Sequence, residues 1–77
     1  MENVEEVVAL LREQARLEMQ LMNENGINVV TEQDLFLTRR RLAQRPQALR
    51  AVLETALALH RTPDAVSPED VARWGSL

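Results

Sequence analysis

From Glu2 to about Asn23 the apolar residues Val4, Val7, Val8, Leu10, Leu11, Ala15, Leu17, Met19, Leu21 and Met22 recur at intervals of three and four. A turn of about 100° per residue places such a series on one broad face of a helix. At a rise of 1.5 Å per residue that helix spans roughly 30 Å. Glu2, Glu5 and Glu6 occupy its first turns, where the helix dipole favours negative charge. Its end is marked by Asn23, Asn25 and Gly26, the glycine being able to take the left-handed conformation that closes a helix. A chain that opens this way must find other helices to cover that face.

The rest of the sequence supplies them. Thr31 followed by Asp34 has the form of a capping box, so a second helix is expected from Glu32, with Leu35, Phe36, Leu42 and Ala43 on its packed side. The segment Ile27 to Val30 is too short for more than a turn or a brief extended piece. Pro46 lacks an amide hydrogen and its ring collides with the carbonyl four residues earlier, so the helix kinks there, or stops near Arg45 and restarts with proline at its first position. Leu49, Val52, Leu53, Ala56, Leu59 and His60 form one face of a third helix that runs to about Arg61. Ser67, Pro68, Glu69 and Asp70 are a helix start, predicting a short fourth helix that ends before Gly75.

Seventy-seven residues allow one domain, and a globule of that size hides only about 60% of the surface of its unfolded chain. With one Phe, one Trp and no Tyr the core must be aliphatic. Small aliphatic helical chains gain missing burial by pairing with another copy or another protein. The absence of cysteine excludes disulfides, thiolate metal sites and thiol nucleophiles. The first residues, MENVEEVV, are acidic where a signal peptide would be basic, and no apolar run approaches the ~18 residues needed to cross a bilayer. The expected location is cytoplasmic, with no membrane partner.

Charge is unevenly distributed. Residues 1 to 34 carry eight acids and two arginines, residues 35 to 61 six arginines and one glutamate, and the chain as a whole is net −3. Acidic and basic helices joined by short connections supply one another with partners. Gln14 and Glu18 fall within the apolar face of the first helix and Arg39 in a comparable place on the second. A charge there is costly unless paired, which points to a Glu18 to Arg39 pair within the chain or across a dimer axis. All nine basic residues are arginine, a side chain suited equally to carboxylate and to phosphate.

Enzyme chemistry finds little support. There is no glycine-rich phosphate loop, and Thr31, Thr38, Thr55, Thr62, Ser67 and Ser76 stand in no nucleophile context. His60 has no second histidine or cysteine to complete a metal site and reads as a packed residue. Met19, Leu21 and Met22 read as core filling and Trp74 as the anchor of the last helix, the alternatives being soft docking surfaces. No catalytic residue, metal ligand, cofactor or small-molecule substrate is expected.

The stretch INVVTEQDLFLTRRRLAQRPQALRAVLETAL resembles ribbon-helix-helix DNA-binding proteins in its order of short strand, helix, turn and helix. That resemblance implies a dimer whose two-stranded ribbon enters the major groove. The shorter RRLAQRPQALRAVLE is similar to the helix-turn-helix of LysR-type regulators through Leu42, Ala48 and Leu49. The ribbon-helix-helix resemblance implies base reading by strand residues, and a DNA-binding regulator of either type would use Arg40, Arg41, Arg45 and Arg50 as its nucleic-acid contacts.

The expectation is an all-α chain, residues 1 to 77 as a single helical domain with helices at about 2–24, 32–45, 46–61 and 68–74. The long first helix lies antiparallel to the proline-interrupted second and third, a short fourth folds across, and homodimerisation completes a four-helix-type bundle. Its expected work is non-enzymatic protein association, as a docking module, adaptor or small regulator with itself and another protein as partners. Leu10, Leu17, Leu21, Met22 and Leu57 are the candidates for the shared surface. Glu13, Arg40 and Arg41 would guide orientation by charge, beside the Glu18 and Arg39 pair. A DNA-binding regulator is the alternative.

Overall fold

The computed structural model describes residues 2–24 and 28–74; the glycines expected to close helices, Gly26 and Gly75, lie outside them, as does Ile27. Among the described residues the chain forms α1 (Val4–Asn23), α2 (Val29–Ala43), α3 (Pro46–Ala58) and α4 (Pro68–Trp74), with a 3-10 turn at Pro63–Ala65 and no strand. The protein is all-helical.

Asparagine side chains start the first two helices. Asn3 Oδ1 accepts the amide hydrogens of Glu5 at 2.8 Å and Glu6 at 3.4 Å, which sets the start of α1 at Val4 rather than Glu2. Asn28 Oδ1 does the same for Val30 at 3.0 Å and Thr31 at 3.2 Å. Because Asn28 is the cap, α2 begins earlier than the expected Glu32, and Val29 and Val30 are its first turn instead of a ribbon strand. Thr31, expected to cap, is buried; its hydroxyl accepts from Gln20 Nε2 at 3.2 Å and donates to Glu24 Oε1 at 3.4 Å.

The interruption at Pro46 is a restart. Gln44 and Arg45 leave the helix, and Pro46 occupies the first position of α3 with no side-chain cap from the elbow itself. The cap comes from the far end of the chain, where Glu2 Oε1 accepts the Ala48 amide at 3.0 Å. A carboxylate at that place also meets the positive end of the helix dipole. α3 stops at Ala58, short of the expected Arg61. The His60 amide donates to Leu57 at 3.2 Å and the Arg61 amide to Ala56 at 2.9 Å, the paired bonds of a Schellman closure. His60 takes the left-handed position with φ 53°, and its side chain is exposed rather than packed. Ser67 and Asp70 exchange backbone-to-side-chain bonds at 3.1 and 3.2 Å, a capping box that starts α4.

The cross-chain contacts define the topology. Gln20 meets Thr31, Glu18 meets Arg39 and Glu6 meets Arg45, so α1 and α2 form an antiparallel hairpin. Glu2 reaches Ala48 at the start of α3, while Arg12 Nε donates to the carbonyl of Asp64 beyond its end at 3.2 Å. α3 therefore follows the direction of α1 while α2 is antiparallel to both, because the elbow at Arg45 and Pro46 reverses the chain. The main core joins Val7, Val8 and Leu11 of α1, Leu42 of α2, Ala48, Ala51, Val52 and Ala56 of α3, then Val66 and Val71. Leu17 and Leu35, also buried, belong to the hairpin and stand outside that cluster.

Candidate interaction surfaces

The inward face of α2 is Thr31, Leu35, Thr38 and Leu42, all buried. Their spacing of four, three and four is a helical stripe, and the two threonines enter it because their hydroxyls are satisfied. Thr38 Oγ1 donates to the carbonyl of Asp34 at 2.8 Å, a bond back to the preceding turn, and Thr31 is held by α1. A threonine so bonded presents mainly its methyl group to its surroundings.

The opposite side of α2 is therefore left in the open with apolar side chains on it. Val29, Val30, Phe36 and Leu37 are exposed, Phe36 at 65%. Val29, Gln33, Phe36, Arg40 and Ala43 form a second stripe with spacings of four, three, four and three, all of them exposed. Leu35 and Phe36, expected on one packed side, are thus divided between core and solvent. The sequence signal that could have found this is the pair of interleaved stripes; counting threonine as polar hid the buried one.

The five residues expected to form a shared surface are scattered. Leu17 is 2% exposed and unavailable to a partner, because the hairpin closes over it. Leu10 is half-buried against the main core, and Leu21 is half-buried as well. Met22, 85% exposed in the last turn of α1, and Leu57, 78% exposed near the end of α3, are open. Met19 and Met22 are thus on the surface and not core filling, and Trp74, expected to anchor α4, is 59% exposed. On α3, Leu53 and Leu57 stand one turn apart on the side away from the core.

Five of the nine arginines form ion pairs with carboxylates among the described residues. Arg39 donates to Glu18 at 3.2 Å, but the pair lies at the surface of the hairpin rather than within an apolar face. Arg45 pairs with Glu6 at 2.5 Å and Arg61 with Asp70 at 3.2 Å, each joining separate elements. Arg50 pairs with Glu54 along α3 at 2.9 Å. Glu13, expected to guide a partner, is engaged by Arg16 of its own helix, whose hydrogen bonds hold the Glu13 carboxyl below its ordinary range. The amide and hydroxyl of Ser67 do the same for Asp70, aided by the Arg61 and Arg73 guanidiniums. Arg40 and Arg41 have no ion-pair partner among the described residues, nor has Glu32.

Shallow clefts among the described residues include two that border α1. One of ≈ 430 Å³ lies between the start of α1 and α4, lined by Glu2, Val4, Glu5, Pro68 and Val71. The other, ≈ 260 Å³, separates Gln14 and Glu18 of α1 from Thr62 to Asp64. Neither brings a nucleophile beside a base, and among the described residues no three His, Cys, Asp or Glu side chains converge as metal ligands. No described helix is long and apolar enough to cross a membrane. No protein-family model, curated protein or solved structure matches the chain.

Proposed function

We propose that this chain is a non-enzymatic protein-interaction module, a dimerising docking or adaptor domain that acts in the cytoplasm. One observation carries the reading: α2 is packed on one side and exposes Val29, Val30, Phe36 and Leu37 on the other, beside two arginines without ion-pair partners among the described residues. Apolar side chains clustered with arginine are the composition of contact surfaces, in which aromatic residues and arginine are enriched. A photo-crosslinking side chain placed at Gln33, within that stripe, should give adducts of discrete mass in the cell. The same group at Ala9, an exposed site on α1, should not. Equal yields at both positions would remove the reading.

Unpaired Arg40 and Arg41 also favour a second reading, a DNA-binding regulator. Its support is thinner than four arginines would give, since Arg45 and Arg50 are engaged by Glu6 and Glu54. The ribbon-helix-helix route loses its strand, because Val29 and Val30 are helical. Binding to duplex at low salt, lost on replacing Arg40 and Arg41 by alanine while the fold is kept, is what that reading requires.

A further inference from the structure

We infer that the exposed side of α2 is the contact between two copies of this chain, packed antiparallel about a two-fold axis near Phe36. The inference rests on the interaction-module reading and names the occupant of its surface. The argument is charge order along one helix. Along the exposed row of α2 at four-residue spacing that passes through Phe36, Glu32 comes first, then Phe36, then Arg40, with acid and base each one turn from the aromatic ring. An antiparallel copy reverses the order, so Arg40 of each chain lies beside Glu32 of the other, and Phe36 meets its own symmetry mate. Parallel packing would set like charge against like.

A two-fold contact needs a self-complementary patch of this kind. Glu32 and Arg40 are both exposed and without ion-pair partners among the described residues, whereas neighbouring Arg39 is occupied by Glu18. Of the α2 charges without an ion-pair partner among the described residues, Glu32 and Arg40 are the two that flank Phe36 at one turn and that symmetry brings together. Val29 of one copy and Ala43 of the other close the ends of the seam, both exposed in the single chain. A nucleic acid or an anionic lipid surface would find Arg40 and Arg41 favourable but Glu32 and Phe36 of no use. A specific interface commonly buries about 800 Å² per partner, more than one short helix face supplies, so the dimer belongs in the micromolar range or weaker.

The test is molar mass by light scattering and sedimentation from about 10 µM to about 1 mM, a range that brackets such an affinity. The wild-type chain should reach the dimer mass. Phe36→Asp should stay monomeric, with circular dichroism showing the helices intact. Glu32→Arg and Arg40→Glu should each weaken association about tenfold or more, two like-charge pairs replacing two opposite ones. Mixing those two variants should restore the dimer, and so should the double reversal. A wild-type chain that stays monomeric overturns the inference, even if it binds duplex DNA or another protein. So does a dimer that survives Phe36→Asp and is lost on Leu57→Asp, which would assign the contact to α3. In either case the crosslinks at Gln33 decide the module reading separately: adducts with other proteins alone would leave it standing.

Discussion

The elbow end of the molecule and the free arm of its hairpin are built differently. At the elbow, side chains from all four helices and from Val66 converge, and a clamp of Glu2 on Ala48 and Glu6 on Arg45 ties the first residues of the chain to its middle. Along the arm there are only two helices. They bury Leu17, Leu35, Thr31 and Thr38, while Met19, Met22, Val29, Val30, Phe36 and Leu37 stay exposed. Two helices can cover one face of each other and no more. The difference teaches that a core shared by four helices closes one end, while a two-helix arm leaves apolar side chains exposed at the other.

The largest effect should separate the two regions directly. Leu42→Ala opens a cavity where α2 joins the main core and should cost about 3 kcal/mol, whereas Leu35→Ala in the arm should fall near the low end, about 2 kcal/mol. Denaturant melts give the values, and hydrogen exchange should show Thr31 to Leu35 less protected than Val52 to Ala56. Equal losses and equal protection would erase the distinction. Next in size, Asn28→Ala should cost about 1 kcal/mol by removing the cap of α2, and the loss should appear first in exchange of the arm. A change confined to the elbow end would assign the start of α2 wrongly.

His60→Gly acts where α3 closes, at the end of that helix away from the elbow, and in the stabilising direction. An L-residue in the left-handed position costs roughly 1–2 kcal/mol, part of which glycine returns as extra freedom in the unfolded chain. A gain of about 0.5–1 kcal/mol in thermal or chemical melts is expected, with none if the Schellman closure is absent. The smallest effect concerns acid. The Asp70 carboxyl is held below its ordinary range by Ser67, so its contribution is present above the unfolded value and is lost as pH falls through the folded one. Melts of the wild-type chain and Asp70→Asn should converge on acidification and part near neutrality. Curves that stay parallel would show that the carboxylate adds nothing to the α3 to α4 connection.

Much of this was legible in residue order. The helices of α1 and α3, the restart at Pro46 and the start at Ser67 follow from apolar period and from residues that prefer helix ends. The candidate surface was not legible. Leu17 belongs to the same apolar series as Met22, and nothing in that series says that one is covered by α2 and the other by nothing. Likewise Glu13 and Glu18 look equivalent as carboxylates, yet Arg16 lies within reach of the first and Arg39 of the second.

By itself the sequence determined local geometry: that the chain is helical, where proline forces a turn, and where Ser67 can satisfy the open amides of a first turn, though not that Asn3 and Asn28 do so for α1 and α2. Only the tertiary structure decided which face of α2 turns inward. Thr31, Leu35, Thr38 and Leu42 share the helical period with Val29, Gln33, Phe36 and Arg40, so periodicity cannot choose between them. The choice depends on distant groups, chiefly Gln20 of α1 and Glu24 just after it bonding the Thr31 hydroxyl, which let a threonine stripe be buried and a phenylalanine stripe face outward.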